Sequence, residues 1–356
     1  MLNYNTIGIM SGTSLDGIDV VYVEFSYEKN WNFNIKKATT FPFDNLWADK
    51  LSSANKLSGL EIIQLHKDFG LLLAEKVNLF INEYGINKNK IDLIASHGHT
   101  VFHQPENKIT LQIGCGIEIS KKTNVKTVCD FRSLDVAHGG QGAPLVPIGD
   151  LLLFSSHEYC LNIGGIANIS FDEENRRIAG DIDFANINSN SLSKKLGFKW
   201  DENGNLARQG RLNKSLLEKL NQLSFYKSDF PKSLGIEDYF RWYEPVIDDF
   251  NISIQDKLHT TGIHLCKNIK KVLGNGINTN LLVTGGGAYN SFWIENLSKQ
   301  GVNTVIPSKE IIEFKEALIF AFLGVLRVRN EINTLASVTG ATKDLISGIL
   351  YDPKKF

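Results

Sequence analysis

The residues best suited to chemistry open the chain. Ser11-Gly12-Thr13-Ser14-Leu15-Asp16-Gly17 forms a polar turn between two apolar stretches of residues 7–24. Small side chains at Gly12, Thr13 and Ser14 let backbone N–H groups approach an anion closely. Asp16 and Asp19 follow at once, and carboxylates beside an anion site suit a divalent cation held between protein and phosphate. A plain β-hairpin with a hydroxyl-rich turn uses the same residue types, so this segment alone leaves both readings open.

A second copy of the device lies mid-chain. Residues 159–171 read strand, Gly164-Gly165 turn, strand. A third glycine turn, Gly285-Gly286-Gly287-Ala288, follows an apolar strand and precedes a helical stretch, a junction that admits a nucleotide against the backbone. It is not a Walker loop, since no Gly-Lys-Ser/Thr follows, and it lacks dinucleotide-binding spacing. Paired hairpins of this kind resemble the layout of the sugar kinase, heat-shock ATPase and actin-like superfamily. His97, His99 and His103 crowd seven residues without HExxH spacing. Sugar contact through the His97-Gly98-His99 turn, structural hydrogen bonding and a metal site are the alternatives. Asp130 and Arg132 end a strand, where Arg132 either grips a substrate carboxylate in a bidentate manner or forms a structural ion pair.

These groups need a scaffold. Ile62, Leu65, Phe69, Leu72, Leu73, Val77, Phe80 and Tyr84 recur at helical spacing and predict an amphipathic helix ending near Gly85. Residues 91–95 and 125–131 read as strands, 194–222 as polar and helix-like, and 311–329 as an apolar helix headed by Glu316. Trp242 and Tyr243 read as core. With 356 residues the chain has room for two domains, expected at 1–155 and 156–356, with the C-terminal helix able to return to the first. Thirty-eight basic and thirty-nine acidic residues nearly cancel, which argues against nucleic acid or an anionic membrane as main partner. No apolar run reaches the ~20 residues of a membrane span, and no leader pattern opens the chain. Four scattered cysteines without CxxC spacing predict free thiols and a cytoplasmic protein.

Beyond these readings, the chain resembles the anhydro-N-acetylmuramic acid kinases over nearly its whole length. The matching segments include GTSLDGID at 12–19, SHGHTVFHQP at 96–105, DFRSLDVAHGGQGAPLVP at 130–147, LNIGGIAN at 161–168, VTGGGAYN at 283–290 and LASVTGA at 335–341. The resemblance implies an α/β fold of two actin-like, ribonuclease H-like domains flanking an interdomain cleft. It implies ATP and Mg2+ as cofactors, with Asp16 and Asp19 toward the metal and Gly12 to Gly17, Gly164, Gly165 and Gly285 to Ala288 toward the nucleotide. The implied reaction opens the 1,6-anhydro ring with water and phosphorylates O6. Its base belongs to an Asp-Thr-Gly-Pro-Gly-Asn-like motif, placed at Asp183 with Asn188 by the Asp-x4-Asn spacing. Asp181 is a neighbour on the same strand, expected to point to the same face. His97, Gly98, Asp130, Arg132, Asn188 and Glu316 are the implied substrate contacts, and a homodimer the implied assembly. The segment departs from the pattern with Ala185-Asn186-Ile187 for Gly-Pro-Gly, and Ile236 stands where an arginine is expected. A paralogue that binds without turnover or takes another anhydro-sugar is one alternative, and a phosphate-ester or polyphosphate hydrolase is a second.

Overall fold

The computed structural model describes residues 2–12, 15–274 and 280–355; the candidate residues Thr13 and Ser14 lie outside them. The strands, in chain order, are β1 (Leu2–Met10), β2 (Gly17–Tyr27), β3 (Trp31–Pro42), β4 (Leu93–Ser96), β5 (His99–Gln104), β6 (Ile109–Ile113) and β7 (Thr127–Cys129). They continue with β8 (Tyr159–Ile163), β9 (Ile166–Glu173), β10 (Arg176–Phe184), β11 (Asn280–Thr284), β12 (Asn303–Val305) and β13 (Ile349–Tyr351). Contacts divide the chain into two compact units, Met1–Leu153 with Phe314–Phe356, and Phe154–Glu313.

The two units repeat one topology. In the first, the sheet order is β13-β7-β4-β1-β2-β3, with β1, β2 and β3 antiparallel neighbours and β4 and β7 parallel to β1. In the second, the order is β10-β9-β8-β11-β12, again three antiparallel strands followed by two parallel ones. This is the α/β fold expected, an internal repeat of shape whose sequence echo is the paired hairpin. Alternation along β2 buries Ile18 and Val20 on one face. They belong to a core completed by Phe69, Leu73, Val77 and Phe80 of the helix Gly59–Glu83. That helix starts at a Ser58/Glu61 capping box and stops before Gly85, whose φ is +60°.

Two expectations need correction. The polar stretch 194–222 is not one helix: Asn205–Gln209 and Lys214–Asn221 are separate, because Gly210 between them is extended (φ −86°, ψ 171°) and Asn213 caps the second. The second boundary also shifts: the chain from Phe314 on belongs to the first unit, the return allowed for the C-terminal helix. Small residues of the helix Lys309–Arg329 explain this. A Cβ on Gly8 of β1 would meet the Ala317 carbonyl and the Ala321 methyl, and one on Gly324 would meet the Ala95 side chain of β4. Backbones that close leave no room for anything larger. β13 then adds to β7.

Candidate functional site

In the first unit, the turn after β1 lies beside the turn after β4, because β1 and β4 pair in parallel up to Ile9 and Ser96. Strand C-terminal ends are where open α/β sheets place ligands. Ser11 Oγ lies 3.2 Å from His99 Nδ1 and joins the two turns. His97 Nδ1 faces the Gly98 carbonyl at 3.0 Å; a carbonyl only accepts, so Nδ1 carries the proton. Its Nε2 then accepts from Arg132 Nε at 3.1 Å, and Arg132 Nη1 donates to the Gly142 carbonyl at 2.6 Å. Burial, then the guanidinium charge, hold His97 well below the usual histidine range. His103 takes a different partner, Thr110.

Arg132 is pushed down to about 10 by burial, an effect opposed by Glu316 and Asp135. Glu316 keeps solvent access, yet desolvation by the surrounding protein raises its carboxyl; Arg132 opposes that rise and Asp19 reinforces it. So Asp19, Arg132 and Glu316 form one electrostatic neighbourhood within this unit. Arg132 serves His97 and Gly142 rather than a paired Asp130. Asp130 instead takes a left-handed backbone, φ +56°, and caps the Ser133 N–H at 3.2 Å. Asp16 is exposed, and Asp19 Oδ1 accepts from the Thr40 hydroxyl at 2.6 Å. Both are hard carboxylate donors, three residues apart in the chain, of the kind magnesium takes alongside waters and substrate phosphates.

In the second unit, three candidate segments converge. The Gly164 and Gly165 carbonyls accept from the N–H groups of Asn186 at 3.1 Å and of Ala185 at 2.9 Å. Gly285, at φ +78°, abuts Asn162 and Ile163, and a Cβ on Gly286 would lie 3.8 Å from the Asn186 amide. The hairpin, Asn186 and the Gly285–Gly287 turn therefore form one surface.

The candidate base behaves differently from expectation. Asp181 pairs with Asn168 and Asp183 with Ala167, so a β-bulge at Ile182 separates the two aspartates. Consecutive residues of β9 point to opposite faces and paired residues share a face. Asp181 and Asp183 therefore lie on opposite faces, not on one. Asp183 faces the core beside Ala167 and is 0% exposed. Its Oδ1 accepts from the Phe184 N–H at 2.8 Å and the Tyr226 hydroxyl at 2.5 Å. Its Oδ2 accepts from Asn268 at 2.9 Å and meets His264 Nδ1 at 2.7 Å. A cavity of about 450 Å³ on that side ends at Tyr226 and Asn268, whose polar groups are turned inward to Asp183.

Asp181 lies on the other face, half-buried, in line with Asn168 and with Asn162 of β8. Burial raises it to about 6, opposed by one hydrogen bond from the Leu234 N–H at 2.8 Å. Asn188 is buried at 2% exposure, with the Tyr239 hydroxyl 3.4 Å from its Oδ1. Asn186 was not among the sequence candidates. Asp-x4-Asn spacing is met twice, by Asp183–Asn188 and by Asp181–Asn186, and the second pair lies at the glycine surface.

Comparison of the sequence with known families and curated proteins points to one family. The family model for anhydro-N-acetylmuramic acid kinase matches residues 4–353. A protein named anhydro-N-acetylmuramic acid kinase from Mannheimia succiniciproducens is 33% identical, covering 99% of this chain and 100% of its own. One of the same name from Aliivibrio fischeri is 34% identical, covering 97% and 98%. A third, from Legionella pneumophila, is 34% identical over 97% of both chains. The chain belongs to the anhydro-N-acetylmuramic acid kinase family.

Proposed function

We propose that this protein is an ATP-dependent kinase that opens the 1,6-anhydro ring of anhydro-N-acetylmuramic acid and leaves the sugar phosphorylated at O6. The match along residues 4–353 is the observation that carries this reading. In the reaction, water oxygen bonds C1 as the C1–O6 bond breaks. O6 bonds the γ-phosphorus as the bond to ADP breaks, and a water proton must go to a base.

We assign that base to Asp181 rather than Asp183. A carboxyl raised to about 6 is ionised at neutral pH yet basic enough to take a proton, and it stands half-buried rather than sealed in the core. Asp183 has both oxygens occupied by inward donors. In the second unit, Gly164, Gly165, Asn186 and the Gly285–Ala288 turn supply backbone and amide groups for the nucleotide, since only small residues let the main chain approach so closely. In the first, the turn at Gly12 serves the phosphates, while His97, Arg132 and Glu316 serve the sugar. Arg132 holds His97 in one tautomer, and Glu316 offers an accessible carboxyl. Asp16 and Asp19 would hold Mg2+, which when bound neutralises phosphate charge.

The family resemblance further implies a cytoplasmic location and a homodimer; sedimentation of the purified protein checks the dimer. No helix among the described residues is long and apolar enough to cross a membrane.

The deciding experiment couples ADP release to mass detection of the sugar 6-phosphate, with wild type beside Asp181→Asn and Asp183→Asn. Wild-type turnover lost by about 10²–10⁴-fold in Asp181→Asn supports kinase and base together. Bound ATP without product in wild type would sink the kinase reading. Full activity in Asp181→Asn would sink the base assignment alone.

A further inference from the structure

We propose that Asp183 is a positioning residue, whose buried hydrogen-bond network holds the β10 bulge and through it the carboxylate of Asp181. The inference rests on the reading of Asp181 as base. Its evidence is that the two aspartates grip the same loop from opposite faces of the sheet. Residues 224–234 run along the edge of β10. Near the start of this loop, the Tyr226 hydroxyl donates to Asp183 at 2.5 Å. Near its end, the Asp181 N–H donates to the Lys232 carbonyl at 2.8 Å, and the Leu234 N–H donates to the Asp181 carboxylate at 2.8 Å. The loop is closed on itself between these points, because Lys232 Nζ donates to the carbonyls of Phe225 at 3.1 Å and Ser228 at 3.0 Å. Moving Tyr226 therefore moves the N–H that orients Asp181.

The second arm of the network reaches the helix Ile254–Leu273. His264 and Asn268, one turn apart on it, both meet Asp183 Oδ2. Asp183 and His264 are each 0% exposed, so nothing but protein defines their geometry. The bulge inserts Ile182, and Ile182 is itself 2% exposed in the core. An inserted residue costs a ladder hydrogen bond, so it persists only when the surroundings hold it. Here the surroundings are four inward donors on one carboxylate.

The test uses the full-length protein. Asp183→Asn keeps shape and an acceptor for Tyr226 and the Phe184 N–H, but loses the negative charge facing His264. We expect folded protein by circular dichroism and kcat lower by about 10–100-fold, the scale of a displaced catalytic group. KM for ATP should stay within about twofold, because the nucleotide turns are untouched, and the residual activity should keep the acid limb that belongs to Asp181. The double variant Asp183→Asn/Asn268→Asp returns a carboxylate to the side of His264 and should recover most of the loss.

Wild-type kcat in Asp183→Asn, with only a lower melting temperature, would overturn the proposal. So would a failure of the swapped pair to recover any activity while folded. Loss of the acid limb in Asp183→Asn, with Asp181→Asn still active, would mean that Asp183 is the base, and both readings would fall. Activity in Asp181→Asn with the positioning signature intact in Asp183→Asn would remove the base reading alone. If Asp183→Asn does not fold, Tyr226→Phe decides. It deletes one donor, and kcat reduced several-fold at unchanged KM for ATP supports positioning, whereas unchanged kcat refutes it.

Discussion

Replacing Asp181 by asparagine should abolish turnover and make the protein more stable at alkaline pH. The reasoning starts from the carboxyl that burial raises from 3.8 to about 6. Its folded value lies above its unfolded one, which fixes the sign. Below pH ~4 both states carry the proton and Asp181 contributes no difference. Between ~4 and 6 the unfolded chain ionises first, so the folded state loses ground as pH rises. Above about 6 the penalty is complete, at about 1.4 kcal/mol per unit over some two units, or roughly 3 kcal/mol at most. Partial solvent access lowers this, so about 1–3 kcal/mol is expected. Asparagine cannot ionise and keeps the oxygen that accepts from the Leu234 N–H at 2.8 Å. At pH 8 the variant should therefore melt a few degrees higher than wild type, taking roughly 2–4 °C per kcal/mol for a unit of this size. Thermal melts of both proteins at pH 8 and pH 5 measure it, and the gap should narrow at pH 5. An Asp181→Asn protein that melts lower at pH 8, or a gap independent of pH, would refute a strained, desolvated carboxylate. It would also remove the physical reason for choosing this residue as base, since sites tuned for catalysis often give up stability.

Two further outcomes test the first unit. His97 should stay neutral with its proton on Nδ1 well below the pH at which a free histidine charges, because burial and Arg132 both disfavour the charged ring; nitrogen-15 NMR of the ring reads tautomer and charge directly. Lys315 and Asp150 meet at 2.7 Å with 6% and 4% of their side chains exposed. Lys315→Met removes the ammonium beside a sealed carboxylate and should lower stability in urea melts by about 3–5 kcal/mol. Lys315→Met/Asp150→Leu should be milder than the single change.

What could be read from residue types was the chemistry that backbone alone performs. Gly164-Gly165 and Gly285-Gly286-Gly287 announce themselves because no other residue lets main chain come so close, and both turns do converge on one surface. The helix Gly59–Glu83 was legible for the same local reason, since its cap and its apolar stripe are written in consecutive turns. The C-terminal helix was less so. Its small residues Ala317, Ala321 and Gly324 look like ordinary helix formers until β1 and β4 are found against them. The aspartates were illegible in a stricter sense. Period-two alternation assigns faces only while the ladder is regular, and one inserted residue reverses every assignment beyond it. Ile182 is that insertion, and no local signal marks it: isoleucine is an ordinary strand residue, and Asp181-Ile-Asp183 reads as plain alternation. The spacing motif did not help, because it is satisfied at 181 and 186 as well as at 183 and 188. The groups that decide the matter, Tyr226, His264 and Asn268, lie 43 to 85 positions away in the chain. They fix which carboxylate is drawn into the core, and the one left on the other face is the one free to act on a ligand. On the proposed reading, the choice of base is therefore a tertiary property, set by residues remote in sequence.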